Sequence, residues 1–156
     1  MTTDRKYAIT TKSERDMLKI FRYFLLAFTE GSQTHWETAM SISRGEHGLD
    51  AGREIGFAML RVLQSVREAR TNAFLFIHPG CDKCTTGLLD CERYLMHAIN
   101  CVFKNDLSAA QVSLILLCEG TDTKAVISRI RELADYINLK DNIGDVPKTS
   151  SISLNK

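Results

Sequence analysis

Apolar residues recur every three or four positions along almost the whole chain, a period that favours helices over strands. Met17, Ile20, Phe21, Phe24, Leu25 and Phe28 share one stripe near the start. Val126, Ile127, Ile130, Leu133, Ala134 and Ile137 hold the same register near the other end. Between them the punctuation is that of helix ends. Ser13-x-x-Asp16 resembles a capping box and Gly31 suits a C-cap, which predicts a first helix over 14–30. Thr34-x-x-Glu37 starts a short second helix that carries Trp36, Ala39 and Met40 and ends at Gly45. Asp50 is a fitting N-cap for a third, with Ile55, Ala58, Met59, Val62, Leu63 and Val66 on one face and Asn72 at its close.

Phe74-Leu75-Phe76-Ile77 is short and aromatic, but the chain offers no second strand to pair with it. An extended segment laid across the core is expected instead. Pro79-Gly80 then turns the chain. A fourth helix is expected over 88–104, with Leu88, Leu95, Ile99 and Val102 on one row and Leu89, Met96 and Phe103 on another. So wide an apolar surface marks a central helix. Ser108-x-x-Gln111 opens a fifth, carrying Val112, Ile115 and Leu116 and ending at Gly120. Thr121 or Asp122 opens a sixth that runs to Asn138. The expectation is an all-α, single-domain bundle of about six helices over residues 1–138, with a Cys-rich turn before the fourth. Residues 139–156 read as a polar, disordered tail.

Charge removes some classes of function. The chain of 156 residues carries 20 basic and 19 acidic side chains. They are spread over both halves, so no broad footprint for nucleic acid is visible. The start, Met1-Thr2-Thr3-Asp4-Arg5-Lys6, lacks the apolar core of a signal peptide. No apolar run approaches the ~20 residues needed to cross a bilayer. These features predict a cytoplasmic protein in which thiols stay reduced. Ser/His/Asp sets, paired carboxylates, a P-loop and a dinucleotide fingerprint are all missing, so a non-enzymatic protein is expected.

The chemistry-bearing feature is a run of cysteines. Four of the five fall between Cys81 and Cys101, in His78-Pro79-Gly80-Cys81-Asp82-Lys83-Cys84 followed by Cys91, His97 and Cys101. Cys-x-x-Cys on a tight turn brings two thiolates within reach of one tetrahedral ion. His97 and Cys101 are four apart, on one helical face. The candidate metal ligands are therefore Cys81, Cys84, Cys91, Cys101 and His97. Two closed sets suggest themselves: Cys81, Cys84 and Cys91 with His78, or Cys81, Cys84, His97 and Cys101. Zinc is the least demanding occupant, and an iron–sulfur cluster could use the same thiolates. A thioredoxin-type role fails, because that chemistry wants a βαβ context. The plain alternative is packing: cysteine behaves as a small hydrophobe, Cys118 sits in an apolar run, and Arg93, His97, Asn100 and Lys104 make a solvated polar row.

Other segments invite a partner. Lys12, Arg15, Lys19 and Arg22 lie opposite the Phe-rich face of the first helix, and suit an anionic surface or a solvated face. Gly52 and Gly56 would let another helix, or a second copy, approach closely. The stretch 107–127, from Leu107-Ser108-Ala109-Ala110-Gln111 to Thr123-Lys124-Ala125-Val126-Ile127, resembles the first two helices of a LuxR-type DNA-binding domain. No recognition helix follows it, which favours an ordinary helical hairpin. The run from Trp36 through Asp50-Ala51-Gly52-Arg53, His78-Pro79-Gly80-Cys81-Asp82-Lys83-Cys84 and Leu89-Asp90-Cys91-Glu92 is similar to small alphaproteobacterial helical proteins with a Cys-rich turn. That resemblance implies a bacterial cytosolic origin and no activity. The expected function is a regulatory or adaptor protein, with a structural zinc site and a protein partner or homo-oligomer. A thiol- or metal-based redox sensor is the alternative, and a DNA-binding regulator the third.

Overall fold

The computed structural model of the chain describes residues 7–81 and 87–144. They form six helices and no strand: α1 (Lys12–Glu30), α2 (Gln33–His47), α3 (Leu49–Ala69), α4 (Asp90–Phe103), α5 (Leu107–Leu117) and α6 (Lys124–Gly144). The all-α bundle is as the apolar period predicts. Packing is pairwise and sequential at first, α1 on α2 and α2 on α3. Then α6 returns to α3, while α5 lies on α4. One core unites them, built around Phe21, Phe24, Ile55, Met59, Leu63, Leu95, Met96, Leu114, Ile130 and Leu133. Phe74 is buried and Phe76 packs against the same core, so the segment after α3 crosses it in extended form.

Several ends differ from the sequence reading. The cap of α1 is Thr11, not Ser13: its hydroxyl accepts from the Glu14 backbone N–H at 3.1 Å. Gly31 closes the helix at φ 65°, a left-handed position that favours glycine. α2 continues through Gly45 to His47, and Gly48 at φ 91° makes the sharp turn into α3. α5 is capped by Asp106, whose carboxylate accepts from Ala109 N–H at 3.1 Å, rather than by Ser108. At the starts of α1 and α5 a side chain just outside the apolar stripe has the better reach to an orphan N–H. α6 extends six residues past Asn138, through the start of the expected tail. Residues 145–156 lie outside the described residues.

Gly52 belongs to an internal contact. A Cβ there would stand 2.4 Å from Arg44 Cα and 2.6 Å from the Ser43 carbonyl, and Ser43 Oγ donates to the Gly52 carbonyl at 2.6 Å. α2 therefore occupies the Gly52/Gly56 face that the sequence offered to a second copy. The Phe-rich face of α1 is likewise core: Phe21 and Phe24 are buried, and Phe28 lies under the Arg67 guanidinium at 4.0 Å.

Candidate functional site: the cysteine region and the outer face of α5

Two of the candidate ligands stand far apart, and one of these meets a third. Cys91 and Cys101 stand on the same helix ten residues apart, about 15 Å along its axis. Two thiolates on one zinc ion sit within about 5 Å of each other. These two therefore cannot close one mononuclear site, and the same span keeps them from a compact cluster. Neither of the two closed sets needs both of them. His97 and Cys101 do meet, with Cys101 Sγ 3.5 Å from His97 Nε2. His97 Nδ1 shares a hydrogen bond with Ser113 Oγ of α5 at 2.6 Å, and Tyr7 meets the imidazole edge-on at 5.6 Å. His97 is therefore partly enclosed, not the solvated residue of a polar row. Among the described residues no three His, Cys, Asp or Glu side chains converge as a metal site would require. Cys81 is disulfide-bonded. Cys84 lies outside the described residues, as does the centre of the Cys-x-x-Cys turn.

A Cys–His contact is the beginning of nucleophilic machinery, but this one is set the wrong way. Burial, with Asp106 nearby, pushes the Cys101 thiol above its ordinary pKa; Lys104 opposes this only in part. A thiol held protonated and shielded is not set up as a nucleophile. Tyr7 is similarly shifted upward by burial and by its hydrogen bond to the Glu14 carboxylate. Together these groups pin the segment before α1 to α4 and α5. Cys118 is fully buried, and burial raises its thiol pKa too.

Sequence reasoning missed the polar centre of this end. Arg22 is 4% exposed and Glu92 1%, and they pair at 2.5 Å. Arg22 also donates to the Gly87 carbonyl at 2.8 Å, and the Leu89 N–H donates to Glu92 at 3.0 Å. One ion pair thus fixes the exit of the Cys-rich turn, the start of α4 and the middle of α1. The expected basic row on α1 is broken as a result: Arg22 is internal, and Lys12 pairs with Asp16 at 2.6 Å. The signal was present. Arg22 falls four after Leu18 and three before Leu25, and Glu92 three before Leu95, so both occupy core positions of their stripes.

The outer face of α5 is the second feature. Ala110, Ser113, Leu114 and Leu117 point inward. On the other side Val112 is 62% exposed, Ile115 46% and Leu116 52%, a continuous i, i+3, i+4 stripe. No charged residue lies on this helix. Because α5 packs on α4 and α6 on α3, the two do not close into the expected hairpin. A groove of about 880 Å³ lies between them, lined by Leu107, Ser108 and Gln111 of α5 and by Lys124, Ile127 and Arg131 among others of α6. Its lining mixes polar and apolar side chains. Arg70 donates to the Leu117 carbonyl at 2.6 Å and Glu119 accepts from the Asn72 N–H at 3.1 Å, which ties the end of α5 to the segment after α3.

No helix among the described residues is long and apolar enough to cross a membrane. No protein-family model, no curated protein and no solved structure matches the chain.

Proposed function

We propose that the chain is a non-enzymatic regulatory or adaptor protein that engages a partner protein through the outer face of α5. The observation that carries this reading is the exposed stripe Val112, Ile115 and Leu116 on a helix with no charge of its own. Isolated exposed apolar residues are ordinary, but a contiguous stripe on one helix beside a groove of mixed polar and apolar lining is the usual composition of a contact surface. The polar clusters around Arg22–Glu92 and His97–Ser113 support the same view, since each joins separate elements of the fold. A photo-crosslinking residue at position 116, compared with one at exposed position 64 on α3, tests it in the producing cell. A discrete protein adduct specific to position 116 is expected. Equal, diffuse labelling at both positions would sink the reading.

A second reading, a thiol-based redox sensor, is favoured by the disulfide at Cys81 alongside free Cys91, Cys101 and Cys118. In that version reduction of Cys81 alters the turn held by Arg22, and through it the start of α4. Amide exchange of α4 with and without a dithiol reductant tests it. Unchanged protection across residues 90–96 would exclude it.

A further inference from the structure

The partner of α5 is open to a more specific assignment, which rests on the interaction reading above. A two-fold interface places one patch against itself, so the patch must be complementary to itself in shape and in charge. Apolar residues meet this condition without further arrangement, and the α5 stripe is purely apolar. The charged groups beside it are the deciding feature. The exposed row of α6 that borders the groove carries Lys124 and Arg131 and, a turn further, Asp135. Among the described residues none of the three takes part in an ion pair, whereas the neighbouring Glu132 is already held by Arg61 at 2.7 Å and Arg129 at 3.2 Å. A row with both signs and no internal partners does not suit a strongly acidic or strongly basic protein. Reversed by a two-fold, it suits itself: the Asp135 end of one copy meets the basic end of the other.

We infer that the occupant of this face is a second copy of the chain, joined by antiparallel packing of α5 stripes and flanked by reciprocal Asp135–Arg131 or Asp135–Lys124 pairs. The formal net charge of +1 means that two copies scarcely repel each other. Each copy's stripe removes the other's from water, and the charge row sets register and direction rather than supplying most of the affinity.

Sedimentation equilibrium of the purified full chain tests this directly. The expected mass is twice 17.6 kDa, falling to 17.6 kDa on dilution and at all concentrations for Leu116→Glu. Helical circular dichroism of Leu116→Glu should match the parent, because the side chain is exposed. The charge row gives an independent readout. Arg131→Glu and Asp135→Arg should each weaken self-association by about tenfold, the scale of two exposed charge pairs, because the two-fold loses both reciprocal pairs at once. Arg131→Glu/Asp135→Arg together should restore it. A parent chain that stays at 17.6 kDa up to several hundred micromolar overturns the inference, as does a dimer indifferent to Leu116→Glu. The adaptor reading fails separately. A monomer whose position-116 crosslink captures a different protein keeps that reading and loses this one; a monomer with no specific crosslink loses both.

Discussion

The two ends of the bundle treat their awkward groups in opposite ways. At the α1–α4 end, a charged pair sits where apolar residues belong, and the fold encloses it: Arg22 and Glu92 satisfy each other, the Gly87 carbonyl and the Leu89 N–H. At the α5–α6 end, apolar residues sit where charged ones belong, and the fold leaves them outside. The first end is closed and self-sufficient, and its polarity serves structure. The second is open, and its apolarity has no use within the monomer. A polar group in the core and an apolar stripe on the surface are both departures from simple patterning, and the proposed contact rests on the second.

The sharpest way to break this comparison is to open the closed end. Arg22→Ala leaves the Glu92 carboxylate buried without its counter-charge, and the loss should be about 3–5 kcal/mol by urea denaturation. Replacing both, as Arg22→Met/Glu92→Leu, should cost much less, because an apolar pair of similar size leaves no orphaned charge. If the single and double variants lose the same stability, the pair is not the closed centre described above. Next in size is the inner face of α5. Leu114 is fully buried, and Leu114→Ala should cost about 2–5 kcal/mol through lost burial and the cavity left behind.

Gly52→Ala follows, because a Cβ would collide with the backbone of α2 at Arg44 and Ser43. A backbone cannot swing aside as a side chain can, so about 1–3 kcal/mol of overpacking is expected. Gly56→Ala meets only the flexible end of Met40 and should cost less. A fully stable Gly52→Ala would mean that α2 does not cross α3 as described.

These positions also show how far the sequence could be read. The helices were legible because their apolar stripes at Met17–Phe28 and Val126–Ile137 are unambiguous. Caps were less so: Thr11 and Asp106 won over Ser13 and Ser108 by reach, which depends on where the first turn begins. In the cysteine run, only the separation of Cys91 from Cys101 follows from the helix itself, about 15 Å for ten residues. Arg22 shares a row with Lys12, Arg15 and Lys19 opposite the Phe-rich face, but it also borders the apolar stripe between Leu18 and Leu25, and the fold takes it inside. The exposed stripe of α5 was invisible for a different reason. A helix apolar on all sides reads as buried, and only the packing of α5 on α4 alone reveals which side has no neighbour.

A smaller effect comes from the contact that ties α2 to the far end of α6. Lys140 Nζ lies 3.0 Å from His47 Nδ1, with Glu46 3.7 Å from Nε2. Burial first, and the Lys140 charge second, lower the His47 pKa from 6.5 to about 4. The unfolded chain therefore takes up the proton first as pH falls. The His47 contribution is complete above about pH 6.5 and is lost toward pH 4, by at most about 1.4 kcal/mol per pH unit. Glu46 works against it: burial raises its carboxyl pKa, so acid favours its folded form. Subtracting the pH–stability curve of His47→Gln from that of the parent isolates the histidine. A difference that grows on acidification would contradict the buried, neutral imidazole.

The smallest effect on stability belongs to the open end, and there smallness is the point. Leu116 is half exposed and closes no contact on which the monomer depends, so Leu116→Ala measured in dilute solution should change stability by less than about 0.5 kcal/mol. Leu114, two residues away on the opposite side of the same helix, should cost several times more. That ratio separates an apolar residue kept for folding from one kept for contact. If Leu116→Ala proves as damaging as Leu114→Ala at concentrations where the chain is monomeric, the outer stripe is part of the core and the two ends of the bundle are alike. If it is silent in dilute solution but costs stability that grows with the logarithm of protein concentration, the stripe stabilises the fold only when a second molecule covers it, since binding to the native state alone adds to stability by mass action.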